Sequence, residues 1–439
     1  MGRRTASIKT LGCKLNQYES EQMRVQLEGL GYRIVDYEAG ADLCIVNSCT
    51  VTSRTDRETR RLARGAKRLN PQCHVVVAGC YVDVSPEDLR AIPEIDLLMR
   101  NADKQRLAAV IPPADDACST SSAALGEPII SEFSGHTRAF VKVQEGCDAR
   151  CAYCIIPDAR GPSRSVELEQ VLAQCSALAE SGYPEIILIG THLGRYGRDL
   201  RGDIDLDGLI ALVCDLPIPR VRLSSIEPRE VTPGIVRMVQ DGGQALAGGP
   251  HLAASGKLCR HLHIPLQSGC DSVLRRMNRP YDTASYSDLV RRIKQNQPDA
   301  CIGADVIVGF PGETDEEFAT TQEFIESLPL SYLHVFTYSD RLGTPAARMP
   351  DQVDYELRKA RNHVLRDISD RKRQHYAESM VGKRLEVVLQ TRQADGVVRG
   401  ISDNYLEVDV EGTEGRTGEL VSVRIEAARG SSLLSRPAQ

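Results

Sequence analysis

The chain is 439 residues long, 41% hydrophobic and 26% charged, with a formal net charge of −6. Those proportions describe a globular protein of roughly two to four domains at ~150 residues each, and they exclude one that grips nucleic acid through overall charge, leaving only local basic patches for that task. No long apolar run occurs, MGRRTASIKTLGC has no apolar leader core, and the 14 cysteines read as metal ligands and buried thiols, so a cytoplasmic chain without a membrane span is expected.

Residues 6–105 alternate strand-like and helix-like runs. Ala6–Leu11, Asp42–Asn47 and His74–Ala78 are β-rich, with helical segments at Tyr18–Gly29 and Arg54–Leu69. Such alternation implies a parallel sheet with right-handed crossovers. Cys13, Cys49 and Cys80 each fall just past a strand. In a parallel sheet those carboxyl ends share one edge, so the three thiols can converge on a ligand. The alternative is that small Gly-Cys and Ser-Cys pairs merely fill turns, and spacing alone does not choose. Arg54, Arg57, Arg60, Arg61, Arg64, Lys67 and Arg68 face only Asp56 and Glu58 in their stretch, which suits either an RNA-phosphate grip or a solvated helix face.

Residues 111–136 turn to Pro, Ser, Ala and Asp and read as a linker. The stretch Val141–Arg164, VKVQEGCDARCAYCIIPDARGPSR, then packs Cys147, Cys151 and Cys154 into a C-x3-C-x2-C loop after a strand. A [4Fe–4S] cluster normally takes four Cys ligands, so three leave one iron open to a further ligand. A zinc knuckle or three unrelated core thiols is the alternative, but zinc favours four ligands in paired elements and no His lies in this loop.

A second α/β alternation follows. Strands are expected at Ala139–Val143, Glu185–Ile189, Val221–Ser225, His261–Leu266, Gly303–Val308 and Tyr332–Tyr338. Helices are expected at Val166–Ser181, Asp207–Asp215, Thr232–Gln240, Thr283–Gln295, Thr314–Ser327 and Tyr355–Ala377. Six β/α units without a return to the start suggest a partial TIM-like (β/α)6 barrel, open on one side. Asp241–Gly256, rich in Gly and Ala, reads as a surface insertion, and His261 and His263 as satisfied core or rim residues. From Val381 onward KRLEVVLQ, GVVRGIS, YLEVDV and LVSVRIEA are short alternating strands, which argues a small all-β barrel. Arg392, Arg399, Arg416, Arg424 and Arg429 are its candidates for touching RNA, and Arg358–Arg373 on the preceding helix is another.

The three-Cys loop, with Tyr153 before its last Cys, resembles the signature of the radical S-adenosylmethionine (SAM) superfamily, and the C-terminal region resembles the TRAM domain of tRNA-modifying enzymes. In order, residues 1–110, a linker at 111–136, residues 137–375 and residues 376–439 resemble the methylthiotransferase family: an α/β domain with an auxiliary cluster, a radical-SAM barrel and a TRAM-like barrel. TLGCKLNQYESEQM and KVQEGC…CAYCIIPDARG are similar to the branch acting on N6-threonylcarbamoyladenosine in tRNA. Lys14-Leu15-Asn16 after Cys13 fits that branch, where siblings typically carry Gln-Met-Asn or Pro-Lys-Asn, while Asp158 stands where the family usually has a larger residue.

The resemblance implies two [4Fe–4S] clusters and S-adenosyl-L-methionine as cofactors. Cys13, Cys49 and Cys80 would hold the auxiliary cluster, and Cys147, Cys151 and Cys154 the SAM cluster. SAM-contacting candidates are Gly190, Thr191, Ser225, Glu227, Gln267 and Val308. The expected reaction adds a methylthio group to C2 of the modified adenosine 3′ to the anticodon, with tRNA, an electron donor and a sulfur source as partners. Alternatives are a sibling acting on isopentenyladenosine or on a ribosomal protein, and a non-catalytic iron–sulfur protein that binds RNA or carries electrons. Cys44, Cys73, Cys118, Cys175, Cys214, Cys259, Cys270 and Cys301 read as small hydrophobes.

Overall fold

A computed structural model describes residues 4–114, 128–241 and 256–437. The chain divides into two compact units, Met1–Ser134 with Glu145–Ser163 and Ser339–Ala347, and Gly135–Gln144 with Arg164–Tyr338 and Arg348–Gln439.

The first unit is built on a five-stranded parallel sheet. Its strands are β1 (Thr5–Thr10), β2 (Arg33–Ile34), β3 (Leu43–Ser48), β4 (His74–Gly79) and β5 (Leu97–Met99), in the order β2-β1-β3-β4-β5. Helices α1 (Lys14–Gly29), α2 (Ser53–Leu69) and the short α3 (Cys80–Val84) follow β1, β3 and β4. Successive residues of β3 are buried on opposite faces. Ile45 packs with Ala6, Met23, Leu27 and Val76, whereas Cys44 and Val46 pack with Leu62, Ala63, Val75 and Val77. Continuous rather than alternating apolar strands are what a sheet covered on both faces requires. Helix α2 starts at a capping box between Thr52 and Thr55. Helix α1 starts four residues earlier than Tyr18, directly after Cys13. Ile111 and Ala114, linker residues by composition, are buried in this core, and the rest of that segment at 115–127 lies outside the described residues.

The second unit holds six parallel strands in chain order: β6 (Ala139–Lys142), β7 (Glu185–Ile189), β8 (Arg220–Leu223), β9 (His261–His263), β10 (Cys301–Val308) and β11 (Tyr332–Thr337). They form two three-stranded sheets joined by parallel bridges at Val221–Leu258 and Ser225–His263, the partial barrel expected. Helices α4 (Leu168–Glu180), α5 (Leu206–Asp215), α6 (Pro233–Gln240), α7 (Thr283–Asn296), α8 (Asp315–Ser327) and α9 (Tyr355–Glu378) alternate with the strands. Strand β9 stops at His263 rather than Leu266, because Pro265 has no N–H to give a ladder and Gln267 adopts a left-handed φ of 68°. The Asp241–Gly256 insertion falls almost wholly outside the described residues.

The C-terminal strands β12 (Arg384–Arg392), β13 (Val398–Ser402), β14 (Glu407–Val410), β15 (Leu420–Arg429) and β16 (Ser432–Pro437) close a barrel in the order β12-β13-β14-β16-β15. Strand β16 adds a fifth to the four strands expected from the sequence: its polar SLLSRP carries a weak strand pattern, yet it closes the ring by pairing parallel to β14 and antiparallel to β15. Barrel closure removes the edges that would otherwise remain exposed. The barrel docks on the starts of the central strands. Arg220 and Arg222, both buried on Glu185, donate to the carbonyls of Ile401 and Ser402, and Arg260 pairs with Asp403 at 2.6 Å.

Candidate metal centres

Cys13, Cys49 and Cys80 arrive at one edge of the five-stranded sheet, as the parallel topology requires. Cys13 is the exposed N-cap of α1, Cys49 is buried just past β3, and Cys80 is the first residue of α3. Gly12 shows how close the first two loops come. At φ +92° it would place a Cβ 2.5 Å from Cys49 Cβ and 2.6 Å from Cys49 Sγ, so only glycine fits there.

A side-chain network fastens these loops together. Asn16 Nδ2 donates to the carbonyls of Leu11 (2.6 Å) and Ser48 (2.9 Å), Asn47 Nδ2 donates to Asn16 O (2.8 Å), and Ser48 Oγ donates to Ala78 O (2.6 Å). These bonds tie the three loops that carry the thiols to one another at the strand ends. Burial, reinforced by the neighbouring Cys13 and Cys80 sulfurs, pushes the Cys49 thiol up to about 11. A metal taking this sulfur must therefore displace a proton.

The compensating charge comes from residues the sequence did not flag. Glu19 on α1 accepts from Arg160 at 2.7 Å and Lys104 at 2.6 Å, with all three side chains at most 5% exposed. Arg160 also donates to Asn16 Oδ1 at 2.6 Å. Burial works against the Arg160 charge, but Glu19 and the Cys80 and Cys13 sulfurs outweigh it and hold the guanidinium well above its usual value. Two cations around one carboxylate leave surplus positive charge beside the three sulfurs. Asn101 Nδ2 adds a hydrogen bond to Cys80 Sγ at 3.5 Å and another to Ala159 O at 2.9 Å. Bonds to ligand sulfur are one of the protein's means of setting a cluster's potential.

Arg160 and Ala159 end a short helix, Ile156–Arg160, that begins two residues after Cys154, so the second cysteine loop belongs to the same unit. There Gly146 (φ +72°) turns the chain so tightly that a Cβ would collide with Pro162 O, and Cys147 N donates to Gly161 O at 3.0 Å. Cys154 N donates to Cys151 O (3.1 Å) and Ala346 N to Ala152 O (2.8 Å), which fixes the turn. Cys151 is buried, and Cys147 and Cys154 are partly exposed. Asp158 points outward, 3.9 Å from Arg150. Each site thus offers three soft thiols, from three fastened loops in the first and from one tight loop in the second, a donor set that suits an iron–sulfur cluster.

In the second unit, Gly190, Thr191, Ser225, Glu227, Gln267 and Val308 all lie at or just beyond the carboxyl ends of the parallel strands. Thr191 Oγ1 and Ser224 Oγ are buried without a hydrogen-bond partner in the described residues, so this edge holds polar atoms that a ligand can satisfy. Glu227 is already committed to an ion pair with Arg279, Val308 is fully buried, and the Arg358 stem covers Gly309. Among the basic stretches, Arg54, Arg57 and Arg68 on α2 are exposed and form no ion pair with the described residues, whereas Lys67 is bound to Asp96 and Arg60 to Tyr81. On α9, Arg361 is buried on Glu313 and Lys372 donates to Leu328 O, so part of that stretch is structural. Seven of the remaining cysteines are buried, and Cys118 lies outside the described residues.

Residues 5–100 match the uncharacterized protein family UPF0004, and residues 141–325 match the radical SAM superfamily. The threonylcarbamoyladenosine tRNA methylthiotransferase MtaB of Bacillus subtilis is 37% identical, over 96% of this chain and 93% of that protein. The chain belongs to the MtaB family. A sibling, the tRNA-2-methylthio-N(6)-dimethylallyladenosine synthase of Acetivibrio thermocellus, is 30% identical over 97% of this chain and 89% of that protein. The fold is similar to that of TsrM from Kitasatospora setae, a radical S-adenosylmethionine methyltransferase solved with cobalamin and a [4Fe–4S] cluster, with a TM-score of 0.57 at 14% identity over 79% of this chain and 74% of that one. No helix of the described residues is long and apolar enough to cross a membrane.

Proposed function

We propose that this chain is a radical-SAM methylthiotransferase that replaces the C2 hydrogen of N6-threonylcarbamoyladenosine in tRNA, 3′ to the anticodon, with a methylthio group. The observation that carries the reading is the pairing of two three-thiol sites in one compact unit of a chain 37% identical to a protein named for that activity. Cys147, Cys151 and Cys154 would hold the cluster that binds SAM, and Cys13, Cys49 and Cys80 the auxiliary cluster. When bound, these groups supply what side chains cannot, a radical able to remove an unactivated C–H hydrogen and a sulfur to take its place.

The chain's own residues hold, orient and shield. Gly12 and Gly146 allow the backbone to turn tightly at each site, and the Asn16–Asn47–Ser48 network keeps the three loops of the first site in register. Arg160 and Lys104 neutralise thiolate charge from a buried position that excludes water. Thr191 Oγ1 and Ser224 Oγ present unmet polar atoms to SAM at the strand-end edge, and Arg54, Arg57 and Arg68 offer tRNA phosphates an exposed cationic face. An external electron donor and a sulfur source complete the reaction, and the cytoplasm, where tRNA and reduced thiols coexist, is its setting.

The test is nucleoside mass spectrometry after anaerobic incubation of the reconstituted protein with SAM, reductant, sulfide and tRNA bearing threonylcarbamoyladenosine. The reading expects its 2-methylthio derivative and 5′-deoxyadenosine. SAM cleavage without any thiolated nucleoside would leave a radical enzyme of another kind.

A further inference from the structure

The open inner face of the last two strands of the central barrel carries groups that neither cluster uses. Along β11, Leu333 and Val335 are buried towards α9, where Ser369 Oγ accepts from Leu333 N at 2.8 Å and Asn362 Nδ2 donates to Val335 O. Because strand side chains alternate, Tyr332, His334 and Phe336 face the opposite way, towards His261, His263 and Asp305. Tyr332 is buried there, its hydroxyl between His261 Nε2 (3.0 Å) and His263 Nδ1 (3.1 Å). The next two inward residues are open. The His334 side chain is 52% exposed and Phe336 is 49% exposed, although both stand inside a sheet rather than on a loop.

His334 is nevertheless fixed. Its Nδ1 lies 3.4 Å from Asp305 Oδ1, which is 2.8 Å from His263 Nε2, and the two imidazoles stack with centroids 4.9 Å apart. Burial raises the Asp305 carboxyl, but the His263 and His334 imidazoles beside it prevail and hold it well below the usual carboxylate range, so it stays ionised. The Nδ1 side of His334 is thus engaged by Asp305, and the other nitrogen of the half-exposed ring faces the open side, where it donates to an anion when the ring is protonated. An aromatic face open to the barrel interior stands two residues away on the same side.

We infer that His334, positioned by Asp305 and His263, binds the carboxylate of the threonylcarbamoyl group, and that Phe336 stacks on the adenine carrying it. The inference rests on the function proposed above and names the residues that choose its substrate. The chemistry matches at both ends: a flat base prefers an aromatic face, and an acidic substituent prefers a cationic donor. An isopentenyl substituent has no acid for His334 to meet.

The test uses the anaerobically reconstituted full-length enzyme and two tRNAs, one with threonylcarbamoyladenosine and one with its side-chain carboxylate converted to the methylamide. The wild type should prefer the acid. His334→Ala should raise KM for the acid roughly 10- to 100-fold, as for loss of a charged hydrogen bond, and leave KM for the amide unchanged, erasing the preference. His334→Lys should restore it, and Phe336→Ala should weaken both tRNAs alike. SAM cleavage without tRNA should stay at the wild-type rate in every variant, which separates recognition from misfolding. A His334→Ala enzyme with the wild-type acid-to-amide ratio overturns the inference, as does one zinc ion held by His263, Asp305 and His334, whose ligand atoms lie within 4.8 Å of one another. A wild type that modifies both tRNAs equally overturns this subsite alone, whereas one that modifies neither overturns the proposed function with it.

Discussion

The two cysteine trios differ in how they are made. Cys147, Cys151 and Cys154 sit in eight consecutive residues on a loop whose turns are fixed by its own backbone and by Gly146. Cys13, Cys49 and Cys80 come from three loops and meet only because β1, β3 and β4 run parallel and end at one edge. A local site needs only its loop, whereas a dispersed site needs a folded sheet, the Asn16–Asn47–Ser48 fastening and the buried Glu19–Arg160–Lys104 charges. The first should therefore tolerate damage to the sheet better than the second.

The sharpest way to separate them is to remove one ligand from each. Cys151→Ala should abolish reductive SAM cleavage, measured as 5′-deoxyadenosine, while Cys49→Ala should leave cleavage intact and abolish methylthiolation. Loss of cleavage in a folded Cys49→Ala protein would mean that the sites are not independent. Next in size is Glu19→Ala, which strands two buried cations. It should destabilise the first unit by ~3–5 kcal/mol in denaturant titration and deplete iron from the dispersed site before the loop site. Unchanged stability would show the ion network to be incidental. Gly12→Ala forces a Cβ against Cys49 at a left-handed φ and should cost roughly 1–3 kcal/mol, with spectroscopic change confined to the auxiliary cluster, whereas Gly146→Ala should disturb only the loop.

The smallest effect concerns thiols that bind nothing. Burial pushes Cys175, Cys214 and Cys259 each up to about 12 from an ordinary value of 9.0. These folded thiols keep protons that the unfolded chain releases, so their contribution is complete below pH ~9 and falls as pH rises towards 12. Alkaline denaturation midpoints should rise slightly when Cys175 is replaced by Ala, and a midpoint that falls would mean that lost packing outweighs ionisation.

Much of this was legible in the residues. The loop trio announces itself by spacing, and all six central-barrel strands begin within two residues of their expected positions because each carries a short, mostly apolar run. The dispersed trio was legible only as a possibility, since convergence depends on strand direction and not on spacing. The Glu19 site was hidden, because a glutamate in a polar helix such as KLNQYESEQM reads as solvated until its partners, 85 and 141 residues away, are brought in by the fold. Strand β16 was missed because Ser and Pro dilute its pattern, and its place is set by the ring it closes. His334 and Phe336 lie in an expected strand, but which face is open is a property of the packed barrel.

The most direct test of the two-site account is iron content, read beside SAM cleavage, in anaerobically reconstituted protein and in a variant with Cys13, Cys49 and Cys80 all changed to Ala. Two independent four-iron sites give about eight irons falling to about four, with 5′-deoxyadenosine formation retained. Iron unchanged by the triple substitution, or cleavage lost from a protein that still folds, would contradict it.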